Sequence, residues 1–283
     1  MIENSIFAKH MRITILDMIH KAHASHIASA FSIVDVLAVL YNEILTNSDF
    51  DYKNKNRSKV ILSKGHAGSA IYAALYQKGL ISKDDIDSYY LNGSNLSGHV
   101  SHKGVNGVEF STGSLGHGGC VALGMALAKK MNNEKGKIFT IVGDGECQEG
   151  SVWEMAMLAS SKKCNNLVVI VDKNNYQAMG KCSEITNCDN LAEKWEIFGW
   201  EVLKIDGHNY DEIYTAMTHL SDKPICIIAN TIKGHGVSFM ENELLWHYRD
   251  PQNEFYTQAM EELRQWEMLL LMNYFAQPKK IVM

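Results

Sequence analysis

A chain of 283 residues with 46% apolar side chains is long enough to bury the core of one large α/β domain. Its net charge of −5 argues against nonspecific nucleic-acid binding, which needs a basic surface. Six cysteines with no CxxC pair argue against a zinc site or a disulfide framework, and fit the reduced thiols of a soluble cytoplasmic protein.

In chain order, "MIENSIFAKHMR" has no charged start leading into an apolar signal core. Residues 1–45 read as two helices joined at "HASHIASAFS", with Ser32 as N-cap of the second and Asp35 completing a variant capping box. "KVILS" (59–63) is the first β-rich run. The helical pattern "SLGHGGCVALGMALAKKM" leads into a second run, "KIFTIVGD" (137–144). "GSVWEMAMLASSKK" is helical, "NLVVIVDKN" (166–174) is a third strand, and "NLAEKWEIFG" precedes the weaker strand "WEVLKIDG" (200–207). "PICIIAN" (224–230) closes the set. These runs are nearly continuous in apolar residues, as expected for strands buried on both faces of a parallel sheet. Their alternation with helices predicts an α/β fold with a doubly wound, mainly parallel sheet flanked by helices.

A C-terminal amphipathic helix is expected over about 253–275, ending in the apolar "WEMLLLMNYF". The run "MLLLMNYFA" is too short to span a membrane. With no low-complexity linker and no repeat, residues 1–283 read as a single domain with neither a membrane nor a nucleic acid as partner.

Ligands of doubly wound sheets bind outside the carboxyl ends of the strands. Gly143-Asp144-Gly145 ends one strand there and Asn174 ends the next. Taken alone, the glycine-flanked aspartate is equally compatible with a simple turn. Combined with Asn174, it supplies the hard oxygen ligands that suit Mg²⁺ or Ca²⁺, with positions left over for phosphate oxygens. Gly145 lets a diphosphate approach its N–H, and the helix opening near Glu149 adds a positive N-terminal end.

This arrangement resembles the thiamine diphosphate binding motif. The segments "SKGHAGSAIYAAL" (63–75), "SGHV" (97–100), "STGSLGHGGCVALGMALAKK" (111–130), "GDGECQEG" (143–150) and "TIKGHGVSFMENELLWH" (231–247) resemble transketolase in particular. The likeness covers nearly the whole chain but only the first of the three domains of a full-length transketolase. The chain therefore resembles the N-terminal, diphosphate-binding subunit of a split transketolase.

The resemblance implies that Asp144, Asn174 and the carbonyl of Tyr176 ligate the metal, and that Gly143 and Gly145 bind the diphosphate through their backbone. It implies that Gly113 and Leu115 line the thiazolium–pyrimidine pocket, and that Glu149 meets its counterpart across a subunit interface. His66 and His247 match histidines at the diphosphate or the reacting centre; His26 and His99 match histidines near the hydroxyls of the donor sugar. His10, His20, His23, His208 and His219 belong to no motif and read as structural or surface residues. The implied activity is transfer of a two-carbon ketol unit from a ketose to an aldose through the carbanion of thiamine diphosphate. Sugars or sugar phosphates would be the substrates. A C-terminal subunit would be the partner in an α2β2 assembly, supplying the pyrimidine-binding domain and its activating glutamate.

Three departures bear on substrate. "ASHIASA" replaces the usual Ser-Gly-His-Pro-Gly, "SGHVSH" lacks a proline after His99, and His117 stands where many relatives have glutamine. Three other readings compete with ketol transfer. One is a 1-deoxyxylulose-phosphate-synthase-like activity on pyruvate, and another a cofactor-binding regulatory homologue. The third is a dinucleotide site at "GSLGHGG", whose glycines follow no recognisable first strand.

Overall fold

The computed structural model describes residues 2–186 and 190–276. Five parallel strands make one sheet in the order β1-β2-β3-β5-β4: β1 (Lys59–Leu62), β2 (Ile138–Gly143), β3 (Leu167–Lys173), β4 (Glu201–Asp206) and β5 (Ile225–Asn230). The described helices are α1 (Ile2–Ala22), α2 (Ile27–Phe31), α3 (Val34–Val39), α4 (Gly68–Gln77), α5 (Lys83–Asp87), α6 (His117–Met131), α7 (Gly150–Ser161), α8 (Cys182–Ile185), α9 (Leu191–Ile197), α10 (Tyr210–Thr218) and α11 (Glu254–Ala276). Of these, α4, α5, α8 and α10 are additional to the helices expected from sequence. Among the described residues no helix is long and apolar enough to cross a membrane.

Strand pleating explains why the apolar runs are continuous. Phe139, Ile141, Val168, Ile170, Ile225 and Ile227 point to one face, where α1 to α4 and α10 pack. Ile138, Val142, Val169, Val171, Cys226 and Ile228 point to the other, under α6, α7 and α9. Each fully buried Val, Ile or Phe side chain contributes about 1.5–3 kcal/mol. The register sets Gly143 beside Asp172 and Lys173 beside Asn230, so β2, β3 and β5 deliver their carboxyl ends to one edge.

The N-terminal segment corrects one expectation. Residues 1–45 do not form two helices with a cap at Ser32, because the joint itself is helical (α2) and Ser32 has right-handed helical backbone angles. Its hydroxyl turns inward and donates to Ser29 O at 3.1 Å and to Asp172 Oδ2 at 2.7 Å. Asp35 likewise faces the core rather than a cap and pairs with Arg12 at 3.0 and 2.7 Å. Burial opposes the charge on Asp35, but Arg12 and His208 outweigh it and hold the carboxyl far below the usual range. α11 packs on α1 through Ala259, Met260 and Leu263, with the Tyr256 hydroxyl donating to Asp17 at 2.7 Å. The side chains of the apolar "WEMLLLMNYF" run, and Cys188, lie outside the described residues.

Candidate active site

The ends of β1, β2 and β3 each carry a polar residue toward the same hollow. After β1 comes His66, in a tight turn that only glycine can start: a Cβ on Gly65 would lie 2.4 Å from the carbonyl oxygen of Thr112. After β2 comes Asp144, and after β3 Asn174 and Tyr176. Gly113 and Leu115 precede α6, Glu149 precedes α7, His26 precedes α2, and His247 closes a turn at Leu244–His247. All of these, with Gly143, Gly145 and His99, line one cavity of about 340 Å³. The structure thus brings together every site residue named from sequence.

One end of the cavity is built of oxygen. Asp144 Oδ1 accepts from Gly145 N–H at 2.8 Å and its Oδ2 from Asn175 N–H at 2.6 Å, which aims the carboxylate across the β2–β3 ends. Burial, and then the neighbouring Asp172, push the Asp144 carboxyl up to about 6. A buried carboxylate facing a second one is a site that a cation would relieve. Asn174 Oδ1 accepts from Tyr176 N–H at 3.0 Å, adding a neutral oxygen. An all-oxygen set suits a hard divalent ion such as Mg²⁺ or Ca²⁺ and offers nothing to a soft one. The residues present therefore fit a divalent cation. Gly143 and Gly145 line the cavity beside it, and Gly145 packs so close to Gln177 that a Cβ there would come within 2.7 Å of that side chain.

The other end is built of imidazole. The His26 ring centroid lies 5.2 Å from that of His66, 5.8 Å from His99 and 5.0 Å from His247. His26 reaches this position with a left-handed backbone (φ 76°), uncommon for a side chain with a Cβ, and its N–H donates to His247 O at 2.9 Å. Burial, and then His99 and lysine charges, lower His26 to about 4. Burial and Lys233 lower His247 to about 3, and burial and Lys64 lower His66 well below its ordinary value. These three rings are neutral at physiological pH. Lys233 Nζ donates to His247 Nδ1 at 3.0 Å, which leaves the proton of that ring on Nε2.

A pH dependence of stability follows. A histidine that titrates near 6.5 when unfolded and near 3–4 when folded binds more protons in the unfolded state across that window. Stability is therefore lost as pH falls below 6.5. Asp144, raised to about 6, and Glu146, also raised by burial, act in the opposite direction in the metal-free protein but are outnumbered by His26, His66, His247 and His235. Melting temperature should fall steadily from pH 6.5 to 5, and His66→Gln should flatten that slope. A wild-type melting temperature that is level across this range would contradict the neutral-cluster assignment.

Four residues of the site were not singled out from sequence. Lys64 and Asp172 form a buried ion pair between the ends of β1 and β3. Lys233, lowered to about 8 by burial and then by Lys64, lies behind His247. Glu146, inside "GDGECQEG", accepts from the Ser63 hydroxyl, from Gly116 N–H at 2.8 Å and from Gly143 N–H at 3.0 Å, tying the β1 and β2 ends to the start of α6. Their one local signal is a charged residue inside or just after an apolar strand end, where burial requires a partner.

His208 is structural rather than catalytic. Its Nδ1 donates to Asp35 at 2.7 Å, its Nε2 accepts from Ile232 N–H at 2.9 Å, and its ring stacks on His235 at 3.7 Å. Although Asp35, His208 and His235 are close enough to surround an ion, the two-pronged Arg12 guanidinium already neutralises Asp35 and would repel a cation. Arg12 Nε also donates to His235 O at 2.9 Å, so this network buttresses the segment that carries Lys233 and His247.

A parallel α/β sheet with an oxygen-rich cavity at its carboxyl edge also has counterparts among known proteins. The family described as "Transketolase, thiamine diphosphate binding domain" matches residues 3–252, and the chain belongs to it. It is 37% identical over 252 residues to one of the subunits of the apulose-4-phosphate transketolase of Phocaeicola vulgatus, covering 88% of this chain and 89% of that one. It is 39% identical over 251 residues to a 6-deoxy-6-sulfo-D-fructose transketolase subunit of a Clostridium species, covering 88% and 91%. The crystal structure of Campylobacter jejuni transketolase superposes with a TM-score of 0.82 at 30% identity over 93% of this chain. The chain spans only 42% of that full-length enzyme.

Proposed function

We propose that this chain is the diphosphate- and metal-binding subunit of a two-subunit transketolase that moves a two-carbon ketol unit from a ketose to an aldose. The observation that carries the reading is the pairing of an all-oxygen cation cradle (Asp144 and Asn174) with a wall of neutral histidines in one cavity. Thiamine diphosphate, when bound, supplies the nucleophilic carbon and the electron sink. Asp144, Asn174 and the Tyr176 carbonyl hold Mg²⁺ or Ca²⁺ against the diphosphate, and the Gly143–Gly145 backbone receives the phosphate oxygens. Gly113 and Leu115 form the wall beside the cofactor rings, and Glu149 faces the partner copy. His66 and His247 present neutral imidazoles toward the diphosphate and the reacting centre. His26 and His99 exchange hydrogen bonds and protons with ketose hydroxyls.

Both named split relatives act on ketoses that end in an anionic group, a phosphate or a sulfonate, and we assign this chain a donor of the same kind. The partner is a C-terminal subunit carrying the pyrimidine-binding domain and its glutamate, in an α2β2 assembly in the cytoplasm. Residues 1–283 act as one domain within it.

Calorimetry with thiamine diphosphate and Mg²⁺, on this chain mixed with its C-terminal subunit, tests the reading. Binding that depends on the cation is expected, and no binding to the mixture would overturn it. In the same complex His99→Ala should lower kcat/KM by about 100-fold while changing cofactor affinity by less than about 3-fold, because a group that meets the substrate acts in the transition state. Equal losses in both would move His99 to the cofactor.

A further inference from the structure

We infer that Asp172 is a positioning residue of the cation site: by accepting the amide N–H of Asn174, it decides which end of that amide faces the ion. Asp172 can have this role only if Asp144 and Asn174 hold a divalent cation, as proposed above.

The geometry is over-determined. Asp172 is the penultimate residue of β3 and is 1% exposed. Its Oδ2 accepts from Ser32 Oγ at 2.7 Å, from Asn174 Nδ2 at 2.9 Å and from Lys64 Nζ, and its Oδ1 accepts from Thr231 Oγ1. These donors come from the ends of α2, β1, β3 and β5, so the carboxylate cannot turn without breaking bonds to several elements. A carboxylate accepts only, whereas a primary amide has a donor end and an acceptor end of nearly equal size. Facing Asp172, Asn174 must present its nitrogen, and its oxygen is then directed to the opposite side. There Oδ1 accepts from Tyr176 N–H at 3.0 Å and keeps a lone pair for a cation.

Reversing the amide would set its oxygen against the Asp172 carboxylate and its NH₂ against both the Tyr176 N–H and the ion. Lys64 neutralises Asp172, which lets a second carboxylate sit behind Asp144 without competing for the metal. Residues that orient metal ligands in this way typically govern metal affinity by about 10–100-fold. Mg²⁺ demands near-ideal octahedral geometry, while Ca²⁺ tolerates distortion, so the effect should be larger for Mg²⁺.

The test measures binding of Mn²⁺, Mg²⁺ and Ca²⁺ to the assembled two-subunit protein, Mn²⁺ directly by electron paramagnetic resonance and the others by competition. Asp172→Asn should weaken Mg²⁺ by about 10–100-fold and Ca²⁺ by less. In an Asn174→Ala background the same substitution should cost nothing more, because the group it acts through is gone. An unchanged affinity in Asp172→Asn would overturn the role. An equal further loss in the Asn174→Ala background would also overturn it, since Asp172 would then act only by balancing the Lys64 charge. Should Asp172→Asn fail to fold, Thr231→Val loosens the carboxylate while leaving its charge. A loss of about 3-fold, absent in the Asn174→Ala background, is expected there. Absence of cation binding by the wild-type assembly would remove the site itself, an outcome distinct from normal wild-type binding with an indifferent Asp172.

Discussion

Asp144→Ala should abolish Mg²⁺-dependent retention of thiamine diphosphate by the assembled enzyme. The substitution removes the one charged oxygen of the proposed cation site, whose other proposed protein ligands, Asn174 and a backbone carbonyl, are neutral. The diphosphate would then lie beside Glu146, a buried carboxylate of the same cavity, with no cation between. The expected loss of affinity exceeds the roughly 100-fold typical of residues that only orient a ligand. Asn174→Ala should weaken binding in the same direction but less, because it removes a dipole rather than a charge. Equilibrium dialysis with and without Mg²⁺ measures both. Wild-type cofactor affinity in Asp144→Ala would show that the oxygen cradle is not the metal site.

The isolated chain should carry out no ketol transfer with any donor, and should gain activity when the C-terminal subunit is added. Activating the cofactor calls for a carboxylate hydrogen-bonded to the pyrimidine ring, at the end of the molecule away from the diphosphate. Among the described residues the carboxylates lining the cavity are Asp144, Glu146 and Glu149, which cluster at the β2 turn proposed to receive the diphosphate. Glu146 is already committed to Ser63, Gly116 and Gly143. General acid–base groups contribute about 10²–10⁴-fold each, and here the missing carboxylate and half of the cofactor pocket would be supplied together. A coupled assay of the chain alone, the partner alone and the mixture reads the effect. Turnover by the purified chain free of any second polypeptide would end the split-enzyme reading.

The sequence by itself determined the strands, the sheet class and the edge of the sheet where Asp144 and Asn174 meet. Buried parallel strands announce themselves as apolar runs such as "NLVVIVDKN", and a ligand site at their carboxyl ends needs residues placed just after those runs. Asp144 and Asn174 are therefore legible from local spacing alone, and the histidines became so through resemblance to a known family. What holds those groups in place was decided by tertiary structure. Ser32 looked like a helix cap because a cap is judged from its near neighbours, yet its hydroxyl is spent on Asp172, 140 residues away. Lys64 finds Asp172 across 108 residues, and Arg12 finds Asp35 between two helices of the same face. Glu146 has no local mark of its role, which comes from Ser63 and Gly116 closing around it. A buried charge must be paired, but the chain does not state locally which partner it will meet; that is settled only when the sheet brings its strand ends to one edge.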